Sequence, residues 1–135
     1  MTDPALVAKK LAFIETCVQQ LRTLARPERI AEDVREERFV QHTLQLAIQA
    51  ALDVGSHLVS DGRLGEPETG RDVFRLLARG GILGSELALR LEQMAGFRNV
   101  VVHLYQDVDL GIVRDVVENH LGDLLNFAAA IRKRI

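Results

Sequence analysis

A chain of 135 residues with a formal net charge of −2 is one domain's worth, long enough to bury a core without metals or disulfides. Hydrophobic residues at 47% and charged residues at 27% exclude wholesale disorder, and a pI near 6.1 excludes a globally basic surface for nucleic acid. Trp is absent and aromatics reach only 4%, so the core must be filled by aliphatic side chains, which favours packed helices over a β-sandwich.

Asp3-Pro4 reads as a helix start, with Asp as N-cap and Pro where a missing N–H costs nothing. Leu6, Lys10, Phe13, Val18 and Leu21 continue this first helix until Pro27, and Cys17 packs within it as a small hydrophobe. With one cysteine there is no internal disulfide. The start lacks a signal-peptide pattern and no apolar run is long enough to span a bilayer, so a cytoplasmic location is expected.

A second helix is expected from about Ile30 to Ser60, charged between Glu32 and Arg38, with apolar residues from Phe39 to Val54 around much of its circumference. Gly55 inside it suits a close helix–helix approach. The segment from Asp61 to Gly70 is the one real loop, and its glycines do not fit a phosphate-binding P-loop. Thr69 caps a short helix ending at Gly80-Gly81. Ser85 and Glu86 open a fourth helix reaching about Tyr105. Asp109 caps a fifth that runs to Arg132-Lys133-Arg134, with acid at its start and base at its end to match the helix dipole. Short connections between long helices imply an all-α up-down bundle of four to five helices in a single domain over residues 1–135. The β-branched run Val100-Val101-Val102 has no partner strand, so it is read as helix.

Chemistry concentrates in Arg98-Asn99-Val100-Val101-Val102-His103-Leu104-Tyr105. With Arg98 at zero on an ideal helix, Asn99 falls at about 100°, His103 at about 140° and Tyr105 at about 340°. The polar groups share one arc, and Asn99 and His103 stand one turn apart. Arg98 and His103 diverge, so one small ligand meets both only if Arg98 curls across or a second copy completes the site. Upstream, Leu83, Leu87, Leu91 and Met94 line up with Arg98 and Tyr105, so either Gly96 bends the helix or that face is covered, as in a dimer interface lined by a polar cleft. By spacing alone, such a set is usually a partly solvated face.

The string R-N-V-V-V-H-L-Y fits the R-x4-H motif of the HEPN superfamily, and its extended form resembles the HepT-like toxins. The stretch from Leu46 to His57, the lead-in Met94-Ala95-Gly96-Phe97 and the following Asp107-Val108-Asp109 are similar to that family too. The resemblance implies a metal-independent endoribonuclease without cofactor, active as a homodimer with the two motifs meeting in a cleft. It implies a toxin–antitoxin pairing of the type VII kind, in which a minimal nucleotidyltransferase adenylylates the motif tyrosine, here Tyr105. Arg98 and His103 would then be catalytic, with Asn99 and Tyr105 in support. The residue types suit RNA cleavage: His103 titrates near neutrality and serves as proton donor or acceptor, and Arg98 carries a permanent fork for phosphate oxygens. Asp53 and His57, one turn apart, are expected to pair structurally or to support the cleft rather than bind metal, and His42 and His120 to be surface or satisfied core residues. The competing readings are a non-catalytic helical module that binds nucleotide or presents Tyr105 to a nucleotidyltransferase, and a plain dimeric scaffold; neither calls for an imidazole at that spacing.

Overall fold

The computed structural model describes residues 3–103 and 109–135, with residues 97–103 as backbone alone. Helix α1 (Pro4–Leu24) begins where the sequence says, because the Asp3 carboxylate accepts the N–H groups of Ala5 and Leu6 at 2.9 and 3.3 Å. Its buried stripe is Val7, Leu11, Ile14, Cys17, Val18 and Leu21, so the expected stripe through Leu6, Lys10 and Phe13 is displaced by one position. Leu6 and Phe13 are 42% and 43% exposed. The aliphatic series keeps a charge-free run at helical spacing, whereas the alternative would bury Lys10, which instead meets Asp53 at 3.4 Å.

The second helix starts later than expected. Pro27–Arg29 form one 3₁₀ turn, Ile30 drops into the core, and α2 (Val34–Asp61) begins behind Asp33, whose side chain accepts the Arg35 N–H at 2.9 Å. Glu36 accepts the Arg26 N–H at 3.0 Å and clamps the turn from the helix side. Once under way, α2 is the central element: Ala47, Ile48, Ala50, Ala51, Leu52, Val54 and Gly55 are buried over more than half of its circumference. Gly55 serves as expected, since a Cβ there would lie 2.6 Å from Val73 Cγ1 of α3 (Gly70–Arg79).

Helix α3 opens with a reciprocal cap: Thr69 Oγ1 accepts the Asp72 N–H, and the Asp72 carboxylate accepts the Thr69 N–H. Its Phe74 ring meets Phe127 edge-to-face at 5.9 Å. Helix α4 (Ser85–His103) runs through Gly96 and through the three valines, so helix does prevail there over strand. Leu83, Ala88, Leu91, Met94 and Ala95 anchor it in the core.

The expected fifth helix is two. Asp109 caps α5 (Leu110–Asn119) through the Gly111 and Ile112 N–H groups, and α6 (Leu121–Arg132) follows after a break at His120 (φ −124°, ψ 2°). The break has a local cause. His120 Nε2 bonds Asp115 at 3.0 Å, and Asp123, in the first turn of α6, donates its N–H to the His120 carbonyl at 3.1 Å. Side chain and backbone thus compete with helix continuation at that residue. The described residues form six α-helices and no strand, around one connected aliphatic core. None of these helices is long and apolar enough to cross a membrane.

Candidate active site on helix α4

Four contacts fix where α4 points. Arg90 Nε donates to Asp123 of α6 at 2.9 Å, and Asp123 is only 12% exposed, so this pair ties the helix to the C-terminal element. On the other flank, Arg75 Nη2 of α3 donates to Glu92 at 2.9 Å. One turn earlier along α3, the Arg71 guanidinium lies across Gly96: a Cβ at Gly96 would come within 2.1 Å of Nη2 and 2.8 Å of Cζ and Nε. At the α3 N-terminus, a Cβ at Gly70 would stand 3.7 Å from the Ala95 Cβ. The pairs Arg75–Glu92 and Arg71–Gly96 set α3 and α4 antiparallel, and the absent side chain at Gly96 lets them approach.

Arg98, Asn99 and His103 occupy the C-terminal end of α4, and their side chains lie outside the described residues, as does Tyr105 altogether. The helical register over which Arg98, Asn99 and His103 were compared is the backbone observed, since α4 extends to His103 without interruption. Gly96, taken as a possible bend, instead seats an arginine. The upstream face is covered by the chain itself: Leu83, Leu91 and Met94 are buried in the common core.

Beside Met94, one turn before Arg98, a cavity of about 200 Å³ opens between α4 and α5, with Arg90, Ile112, Asp115 and His120 among its lining residues. Asp115 takes hydrogen bonds from Asn119 at 2.8 Å and from His120, and these hold its carboxyl below the usual carboxylate range.

The residues set aside in the sequence find other uses. Asp53 does not pair with His57; it accepts from Gln49 Nε2 at 2.9 Å and faces Lys10, because both approach from the α1 side of α2, while His57 is exposed. His42 is exposed and His120 is held by Asp115. Among the described residues no group of three His, Cys, Asp or Glu is placed to hold a metal ion. The basic end is structural: Arg132 forms a two-pronged pair with Glu15 of α1, and Arg134 donates to the Gly81 carbonyl at 2.7 Å. Arg71 is the residue the sequence reading passed over. Its signal was a glycine in mid-helix just before the motif, with no turn to explain it.

An all-α fold whose fourth helix carries Arg98, Asn99 and His103 at its C-terminal end defines a class of helical proteins with an R-x4-H motif. The family model for HepT-like ribonucleases matches residues 14–131, and the chain belongs to that family. The endoribonuclease expected from the sequence is this family's class of enzyme. Among its relatives is the mRNA nuclease HepT of Shewanella oneidensis, 31% identical over 128 residues, 94% of this chain and 96% of that one. The tRNA nuclease HepT of Aphanizomenon flos-aquae is 30% identical over 112 residues, 79% of this chain and 74% of that one. The solved structure of a tri-AMPylated Shewanella oneidensis HEPN toxin in complex with its MNT antitoxin superposes with a TM-score of 0.87 at 31% identity, covering 98% of this chain and 99% of that one.

Proposed function

We propose that this chain is the ribonuclease toxin of a toxin–antitoxin pair, a single-domain cytoplasmic enzyme that cleaves RNA without a metal ion at a cleft completed by a second copy. The observation that carries the reading is the family match over residues 14–131, a span that includes Arg98, Asn99, His103 and Tyr105. In this reading Arg98 neutralises charge on the scissile phosphate and Asn99 orients His103 or donates to a phosphate oxygen. The 2′-oxygen attacks phosphorus, its proton passing to one His103. The P–O5′ bond breaks, and the leaving oxygen takes a proton from the other protomer's His103. A 2′,3′-cyclic phosphate and a 5′-hydroxyl result, with the proton count unchanged.

The partner is a minimal nucleotidyltransferase that transfers AMP to the Tyr105 hydroxyl, and the similarity to an AMPylated toxin held by its antitoxin supports this. AMP beside Arg98 adds bulk and a phosphate charge that exclude RNA.

Expression of wild type, Arg98→Ala, His103→Ala and Tyr105→Phe, each with and without the neighbouring nucleotidyltransferase, tests the whole reading. Growth arrest and RNA loss are expected from wild type and Tyr105→Phe alone, neither from the other two, and rescue by the partner only for wild type. Purified wild type should cleave in excess EDTA. Harmless wild type with intact RNA overturns the toxin reading, and a Phe variant silenced by adenylylation overturns the role of Tyr105.

A further inference from the structure

The guanidinium of Arg71 is held in place and, among the described residues, meets no counter-charge. It is exposed, yet it lies flat on the buried backbone of Gly96, with Nη2, Cζ and Nε all where a Cβ would have to go. Among the described residues Arg71 has no hydrogen bond or ion pair, whereas Arg75, Arg90 and Arg132 each meet a carboxylate at 2.9 Å or less. Packing, rather than a carboxylate, holds this charge in position.

The position is informative. On α4, residues 96, 99 and 103 are spaced i, i+3 and i+7 and so share one stripe. Glu92, one turn earlier on that stripe, is the carboxylate that would repel an anion there, and Arg75 occupies it. With a rise of about 1.5 Å per residue, position 96 stands about 4.5 Å from position 99 and about 10.5 Å from position 103 along the axis. An anion seated on Arg71 would therefore be a neighbour of the group reacting at His103, and not that group itself.

We infer that Arg71 is a second phosphate-binding arginine of the cleft, gripping the RNA phosphate that flanks the one being cleaved, in a seat that Gly96 keeps open. This rests on the reading of Arg98 and His103 as the cleavage site. Arg71 adds affinity and register for a polynucleotide: a planar fork for phosphate oxygens, close to the chemistry but outside it.

Steady-state cleavage of a short single-stranded oligoribonucleotide by the unmodified purified chain, over a series of salt concentrations, tests it. Arg71→Ala is expected to raise KM roughly tenfold with kcat changed by less than about twofold, the loss of one charge-assisted contact. It should also reduce the slope of log(kcat/KM) against log salt by about 0.7, one phosphate contact on a single strand. Arg71→Lys should restore the slope but only part of the affinity, a recovery that a purely structural arginine would not give. Gly96→Ala, which displaces the guanidinium, should reproduce the rise in KM. If Arg98→Ala abolishes cleavage while Arg71→Ala keeps the wild-type KM and salt slope, or loses kcat alone, the inference about Arg71 is overturned and the site stands. If Arg98→Ala cleaves like wild type, the site itself is overturned.

Discussion

Gly55→Ala puts the packing of α2 against α3 to a quantitative test. In a helix interior, Ala is favoured over Gly by about 0.5–1 kcal/mol, so on an open face the substitution would stabilise. At Gly55 the new methyl would lie 2.6 Å from Val73 Cγ1 and 3.3 Å from Leu77 Cδ1. Carbon contacts are comfortable at about 3.5–4.0 Å, so Val73 must retreat by about 1 Å. It has nowhere to go: it is 4% exposed, and a β-branched side chain in a helix has essentially one rotamer. Overpacking of this kind costs about 1–3 kcal/mol, which outweighs the propensity gain and leaves a net loss of about 1–2 kcal/mol. For a chain of this size that is a fall in Tm of roughly 3–8 °C by calorimetry. In a Val73→Ala background the offending methyl is gone, so there Gly55→Ala should be neutral or stabilising by up to about 1 kcal/mol. Equal destabilisation in both backgrounds would refute the steric account, and a stabilised single variant would refute it outright.

Two further outcomes follow from the ionisable groups. The Arg132 hydrogen bonds hold Glu15 below its ordinary value of 4.5, so the pair stabilises the fold above that pH and the contribution fades as pH falls through the folded-state value. Glu15→Gln should lower the urea midpoint at pH 7 by the equivalent of at most about 1 kcal/mol, both partners being more than a third exposed, with the gap narrowing in acid; a gap that widens as the pH is lowered would contradict this. Cys17 is 2% exposed and burial pushes its thiol up, so native protein should resist an alkylating reagent at neutral pH and become labelled only as urea opens the fold; rapid labelling without denaturant would show that α1 does not bury it.

Helix starts and stops were legible in the sequence wherever a single residue makes the interaction. Asp3, Thr69 and Asp109 cap through bonds to N–H groups two or three residues away, and such local geometry needs no tertiary partner. The central place of α2 and the close approach at Gly55 were legible for a related reason: a helix buried over more than half of its circumference leaves a wide apolar arc in the sequence itself. The segment proposed to carry the chemistry was visible as a motif, and the family itself, HepT-like, is the one that the sequence resembles. Tertiary structure decided the rest. Which stripe of α1 turns inward depends on what α2 and α6 offer it, and that choice sent Leu6 and Phe13 outward. Asp53 stands one turn from His57 in the sequence, and the approach of α1 brought it Lys10 instead. The break at His120 is local, with Asp115 and Asp123 close by in the chain, but no single capping residue marks it in the sequence. Arg71 and Gly96 stand far apart in the chain, and the mid-helix glycine signals a close approach without saying which residue makes it. Only the antiparallel register of α3 on α4 lays the Arg71 guanidinium on the stripe that leads to His103, because contact between distant segments is a property of packing and not of local sequence.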